Sequence, residues 1–342
     1  MVDLLKELCL IDGISGREDK VREYIISEIK DKCKYETDPL GNVIAFKEGK
    51  NRAKKKVMLS AHMDEVGFIV TYICDNGFLK FTNVGGVDSK VTLGKSVKVG
   101  ENGVNGVIGS KAIHLCHGDE EKNAPSLDKL YIDIGAENRE EAERYVQIGD
   151  SVHFSSDFVA FGKSKIKAKA IDDRFGCAIM LEMIKSELEF DTYFAFLVQE
   201  EVGCRGASAA AFSVKPDYAI VLEATTAADV AFVGDADTVC VQGKGAVVSF
   251  MDRSTIYNRD MFRGAFKLAP ENGIAIQTKT TVAGGNDAGA IHKSNGGIYT
   301  IAISLPCRYI HSATSVADTK DMKACYNLAV LLAENYAQDK IS

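Results

Sequence analysis

The apolar positions fall into three textures along the chain. Up to about position 35 they recur at helical spacing. Leu4, Leu5 and Leu8 form one face, and Val21, Tyr24, Ile25 and Ile29 form another. Between them runs a loop, Gly13-Ile14-Ser15-Gly16-Arg17-Glu18, in which Ser15 or Gly16 is placed to cap the second helix. Short apolar runs then predict strands at 42–46, after the Pro39-Leu40-Gly41 turn, and at 57–62. From about Gly67 to Gly162 helical periodicity almost vanishes and glycines are frequent, the texture of a small β-barrel or sandwich. Only Arg139 to Tyr145 looks helical there. After Lys167, helices and apolar strands alternate again. Phe175, Ala178, Ile179 and Met183 mark a helix face, and 193–199, 218–223 and 298–304 read as strands. The closing helix presents Met322, Cys325, Ala329, Leu332 and Tyr336.

This pattern is an α/β fold interrupted by a β-rich insertion. Residues 1–67 and 165–342 form a discontinuous α/β/α unit, and 68–164 form the inserted small barrel. The most informative run is Tyr193-Phe194-Ala195-Phe196-Leu197, apolar enough to be buried on both faces in a parallel sheet. It ends on Glu200-Glu201 and a glycine turn. Ligands bind beyond the carboxyl ends of such strands, and two acids buried there are costly unless positive charge meets them.

Composition narrows the function. At 342 residues, with 46% apolar and 26% charged residues, the chain reads as a soluble globular protein of two domains. A formal charge of −7 and the lack of a basic stripe argue against nucleic acid as a partner. Lys54-Lys55-Lys56 reads as a solvated turn. No apolar stretch approaches the roughly 20 residues that span a bilayer, so no membrane association is expected. The first residues lack the pattern of a secretory signal. Nine cysteines without a C-x-x-C spacing indicate neither a disulfide frame nor a zinc knuckle, and the expected compartment is a reducing cytoplasm.

Five segments place chemically capable side chains at or just past a strand end. They deliver His62, with Asp64 two residues on; Asp172, followed by Asp173; Glu200 and Glu201; Glu223; and His311. Singly each is ordinary: a His-x-Asp pair can be structural, and an aspartate opening a helix is normally a cap, its neighbour free to pair with Arg174. Together, two histidines and several carboxylates suit zinc, cobalt or manganese rather than calcium. The excess of carboxylates suggests two ions sharing one acid. A glycosidase acid pair, which straddles a sugar at roughly 5–9.5 Å, is not easily built from adjacent residues. His114 and His117 lie in the insertion without a second pair and read as structural.

Four motifs carry a resemblance. Ser60-Ala61-His62-Met63-Asp64-Glu65-Val66-Gly67, Ile171-Asp172-Asp173-Arg174-Phe175-Gly176, Gln199-Glu200-Glu201-Val202-Gly203-Cys204-Arg205-Gly206-Ala207 and Arg308-Tyr309-Ile310-His311-Ser312 resemble, in order, the M42 family of dinuclear metallo-aminopeptidases. It is the family of the glutamyl and tetrahedral aminopeptidases, and the similarity runs over essentially the whole chain. The resemblance implies two divalent ions per subunit, zinc or cobalt, with manganese an alternative. His62 and Glu223 would hold one, Glu201 and His311 the other, and Asp172 would bridge them. It also implies Glu200 as the general base for a water between the ions, Asp64 as the residue orienting His62, and a cis peptide at Asp172-Asp173. Position 223 is Glu where many members carry Asp. The implied substrates are short peptides with a free N-terminus. The implied assembly is a homo-oligomer, a dodecamer built from dimers through the insertion, which the chemistry itself does not need. Cys204 and Cys307 read as packing residues, because the implied site is complete without them. The alternatives are a dinuclear carboxypeptidase or deacylase, an endoglucanase, as some members are labelled, and a non-catalytic peptide-binding scaffold.

Overall fold

The computed structural model describes residues 1–341. A mixed sheet has the order Lys34–Thr37, Val43–Lys47, Thr192–Leu197, Val57–His62, Tyr218–Thr226, Tyr299–Arg308, Ser315–Asp318, Lys165–Ala168, Val159–Phe161. Four of these, from Thr192–Leu197 to Tyr299–Arg308, run parallel; Phe194 and Ile220 both lie opposite Leu59, and Ile301 lies opposite Ile220. Their carboxyl ends therefore share one edge.

The continuous apolar runs reflect burial on both faces, and the two faces differ in size. Phe194, Phe196, Leu59, Ile220, Leu222, Ile301 and Ile303 point to one side. There they pack with the helices Val2–Leu10, Asp19–Ile29, Ile171–Lys185 and Thr319–Ala337. Ala195, Ala219, Val221 and Ala302 point to the other, against Ala207, Ala210 and Ala211 of the helix Arg205–Val214. Small residues on both partners let that helix lie close to the sheet. The helix Ile171–Lys185 is buried nearly all round rather than along one stripe, because it is enclosed by the sheet on one side and by the N-terminal helix on the other. Among the described residues no helix is long and apolar enough to cross a membrane.

The β-rich segment closes into a barrel of Gly67–Ile73, Leu79–Val84, Tyr131–Asp133, Val104–Gly109, Ser96–Val99 and Ser151–Phe154. Its own core centres on Phe68, whose ring meets Phe81 and Phe154 edge-on at centroid distances of 5.0 and 5.3 Å. Closure removes the open strand edges that would otherwise invite foreign pairing. Val159–Phe161 already pairs with Lys165–Ala168 in the large sheet, so the chain has rejoined the α/β layer before position 164.

Where the chain enters the barrel, beside the end of the sheet strand Lys165–Ala168, charges are buried. Glu65 Oε1 accepts from Lys169 Nζ at 2.5 Å and from the Gly13 amide at 3.2 Å. Lys169 Nζ also reaches Asp12 Oδ1 at 2.9 Å. Arg174 does not pair with its neighbouring aspartates. Its guanidinium donates to the carbonyls of Leu8, Ile11 and Gly13 at 2.7, 3.2 and 3.3 Å, at and just beyond the end of the first helix. Ser15 does not cap the second helix either, whose N-cap is Glu18. The strands Ala246–Val248 and Ile276–Thr278 are too short for their periodicity to register, whereas the helices Arg205–Val214 and Arg259–Glu271, not foreseen from sequence, do bury residues at helical spacing, Ala207, Ala210, Ala211 and Val214 in one and Met261, Gly264, Ala265 and Ala269 in the other.

Removing the nearest positive partner of Glu65, whose carboxylate also lies 3.8 Å from the Arg174 guanidinium, tests this junction. Lys169→Met leaves a buried carboxylate and is expected to lower stability by about 3–5 kcal/mol, read as a lower urea midpoint. An unchanged midpoint would show that the pair carries no weight.

Candidate metal centre

The shared strand edge brings the chemical side chains together. His62 ends its strand, Glu223 sits opposite Ser304 in the next, and Glu200-Glu201 and His311 follow the ends of Thr192–Leu197 and Tyr299–Arg308. Asp172 lies just past Lys165–Ala168. The peptide Asp172-Asp173 is cis, and neither residue has helical backbone angles, so the regular helix starts at Arg174. Ala170, Gln199, Cys204, Tyr309 and His311 all have φ between 53° and 60°, a left-handed conformation uncommon for non-glycine residues. Such backbone clusters at functional sites.

Asp172 stands at the centre. Its Oδ1 lies 3.5 Å from His62 Nε2 and its Oδ2 lies 3.4 Å from His311 Nε2. Around His62 Nε2 are also Glu223 Oε2 at 3.9 Å and Glu200 Oε2 at 4.0 Å. Around His311 Nε2 is Glu201 Oε2 at 3.4 Å. Each histidine turns its other nitrogen to a backbone carbonyl: His62 Nδ1 to Asp64 O at 3.0 Å, His311 Nδ1 to Gly86 O at 2.9 Å. Donation from Nδ1 leaves Nε2 as a lone-pair donor facing the carboxylates. Gly86 belongs to the loop after the barrel strand Leu79–Val84, so the insertion contributes directly to this site, contrary to the expectation from sequence. At the preceding Gly85, φ is +83° and a Cβ would meet Val66 and Glu201 at 2.9 and 3.2 Å.

Asp64 braces the arrangement. Its carboxylate accepts from the Ser15 hydroxyl at 2.6 Å and from the backbone amides of Glu200 and Glu201, both at 3.1 Å. Its Oδ1 lies 3.4 Å from His62 Nδ1. The orientation of His62 is thus shared between the Asp64 carbonyl and carboxylate, and the carboxylate's main bonds hold the Glu200-Glu201 turn. From sequence Ser15 reads only as a helix cap and Gly86 only as one of many glycines in the barrel stretch, since nothing local marks a loop that crosses from elsewhere. Asp173 was passed over as well. It is fully buried, accepts from the Gly176 amide at 3.0 Å, and has a donor atom within 4.8 Å of His62 and Glu223.

The electrostatics call for added positive charge. Asp172 Oδ1, Asp173 Oδ2 and Glu223 Oε1 are buried with no hydrogen-bond partner. Burial pushes the carboxyls of Asp173 and Glu223 well above the usual range, and that of Glu201 to about 8. Burial also works on Asp172, but its contacts with His311 and His62 outweigh it and hold the carboxyl low. Burial would depress both imidazoles; Asp172 and the neighbouring carboxylates instead raise His62 well above its ordinary value and His311 to about 9. Imidazole nitrogens beside orphaned carboxylate oxygens are a donor set for a divalent first-row metal. Two groups of donors with no residue in common each fall within one ion's reach, His62–Asp173–Glu223 and Asp172–Glu201–His311.

The cleft over this cluster is also lined by Thr225, Thr226, Ser249, Lys279, Gly284 and Asn286. Cys307 is buried, as expected of a packing residue. Cys204 is only partly buried and lines the cleft, its Sγ 3.5 Å from Glu200 Oε1. His114 and His117 are exposed in the insertion.

Comparison with known proteins agrees with this architecture. The family model for M42 glutamyl aminopeptidase matches residues 41–328. A putative aminopeptidase of Acetivibrio thermocellus is 43% identical over 96% of this chain and 97% of its own. The TET1 peptidase of Pyrococcus horikoshii, which can assemble into a tetrahedron or a large octahedral shell, superimposes with a TM-score of 0.85 at 36% identity, covering 97% of this chain and 98% of that one. A Thermotoga maritima structure described as an endoglucanase gives a TM-score of 0.81 at 35% identity, with 99% of both chains covered. The class that fold and relatives define is the aminopeptidases, hydrolases acting on peptide bonds. The chain belongs to the M42 glutamyl aminopeptidase family.

Replacing Asp64 with Ala removes two bonds to the Glu200-Glu201 backbone and one brace of His62. The expected result is a drop of about 10–100-fold in affinity for divalent metal, measured by equilibrium dialysis. Unchanged affinity would make Asp64 a purely structural residue.

Proposed function

We propose that the protein is a dinuclear metal-dependent aminopeptidase that removes N-terminal residues from short peptides. One observation carries this reading: the Asp172 carboxylate divides its oxygens between two histidines, each with further carboxylates close by. In this reading His62 and Glu223 hold one ion, Glu201 and His311 the other, and Asp172 touches both. Zinc or cobalt suits the mixed imidazole and carboxylate set, and manganese is the alternative. Bound there, two divalent ions supply Lewis-acid activation of water and of the scissile carbonyl.

The remaining work falls to the chain. Glu200 points Oε2 into the space shared with His62 Nε2, where it accepts the proton of the attacking water and delivers it to the leaving amine. Asp64 holds the Glu200 and Glu201 amides and so fixes where both side chains start. A free α-ammonium is the substrate end that a carboxylate-rich site attracts, which favours an aminopeptidase over a carboxypeptidase or deacylase. Glu200 and Glu201 are successive residues turned toward two different histidines, not acids facing each other across a sugar, which argues against glycoside hydrolysis. We further propose that the barrel, within residues 68–164, mediates dimer contacts in a dodecamer, and that the protein works in the cytoplasm, where its nine free cysteines remain reduced.

Glu200→Gln separates base from ligand. It is expected to retain wild-type metal content while turnover of a dipeptide falls by about 10²–10⁴-fold. Loss of metal would reassign Glu200 to the coordination sphere. An N-acetylated peptide should be inert to the wild-type enzyme, and its cleavage would favour a deacylase or endopeptidase. Light scattering should give the mass of a dodecamer, and a stable monomer would exclude it.

A further inference from the structure

Glu200 has a second face that the reaction leaves idle. While Oε2 faces His62, Oε1 turns away and accepts from the Cys204 thiol at 3.5 Å. Beyond it lies Asp287, 1% exposed, with no hydrogen bond to either carboxyl oxygen. Local structure does not account for this residue. It stands at the start of the short helix Ala288–Ile291 but makes no side-chain cap bond, and the Ala288 amide is taken by Asn286 Oδ1 at 2.9 Å. A buried carboxyl without a donor is costly unless it keeps its proton or meets a cation. Burial indeed pushes it well above the ordinary range.

One donor atom from each of Glu200, Cys204 and Asp287 lies within 4.8 Å of the other two. The thiol is held there by its backbone: Cys204 has φ +53° and its amide bonds the Glu200 carbonyl at 2.8 Å. Cys204 and Glu200 both line the open cleft, so an ion can arrive from solvent. The catalytic cluster proposed above contains no sulfur, whereas this one joins a thiol to two carboxylates.

We propose that Glu200, Cys204 and Asp287 form a third, inhibitory site for a thiophilic divalent cation such as zinc or cadmium. The proposal rests on the reading of Glu200 as the general base. Binding forms one metal–sulfur and two metal–oxygen bonds. The thiol proton, and the proton of Asp287 where it is held, pass to solvent. A sulfur-containing set selects zinc or cadmium over magnesium or manganese. With Oε1 engaged by a cation, the Glu200 carboxylate is a poorer proton acceptor, so hydrolysis slows. The enzyme is then active with two ions and restrained when free thiophilic metal is in excess.

The test uses the full-length enzyme loaded with cobalt and titrated with cadmium. Cadmium thiolate gives an ultraviolet charge-transfer band, which coordination by histidine and carboxylate alone cannot produce. The expected result is a band that saturates in step with loss of peptidase activity while bound cobalt is retained. Cys204→Ala, compared with its own activity without cadmium, should lose both the band and the inhibition. Cys204→Ser, which retains the size of the side chain, should also lose the band. Asp287→Asn should shift both titrations to higher cadmium. The same band and inhibition in Cys204→Ala, or inhibition accompanied by release of cobalt, would overturn the proposal. A Cys204-dependent band in a protein that hydrolyses no peptide would instead refute the aminopeptidase reading and leave the third site standing.

Discussion

Too much negative charge gathers at one sheet edge for the interior to hold unaided. Asp64, Asp172, Asp173 and Glu223 are buried there, Glu200 and Glu201 are half-buried, and two imidazoles stand among them. Backbone amides and Ser15 satisfy Asp64, and the Gly176 amide meets one oxygen of Asp173, but Asp172 and Glu223 are left with orphaned oxygens. The remaining requirement is positive charge at two places about Asp172. The local architecture serves that requirement. Parallel strands supply a common edge, left-handed residues turn the chain sharply beyond it, and close helix packing through alanines keeps the sheet rigid beneath.

Much of this was legible in the sequence, and for a definite reason. A strand buried on both faces reads as an unbroken apolar run, so the point where the run meets a charged residue marks the edge of the sheet. His62, Glu200, Glu201 and Glu223 announce themselves in this way, and the structure gathers them with Asp172 and His311. The α/β class and the barrel texture are equally periodic features. Contributions that cross from remote loops carry no such mark. Ser15 looks like a helix cap and instead binds Asp64; Gly86 looks like a turn and instead supports His311; Arg174 looks like a partner for Asp173 and instead seals the end of the first helix. Asp287 gave no signal beyond its place in a glycine-rich loop. Strands of three residues, such as Ala246–Val248, are too short for periodicity to register.

Glu200 shows how one side chain can belong to two environments. One oxygen shares space with His62 and the other with a thiol and an unsatisfied carboxyl. Cys204 and Asp287 lie on the side of Glu200 turned away from His62, so the two faces can be probed separately.

The mounting of the barrel has a mechanical consequence. Glu65 follows His62 by three residues and Lys169 precedes Asp172 by three, so their ion pair ties the entry to the barrel to the segment that carries Asp172. A second strut runs from Gly86 to His311. The barrel thus hangs from the sheet on stiff, charged fittings rather than on a slack linker. The contacts that mount the barrel are therefore neighbours, in sequence or in space, of His62, Asp172 and His311.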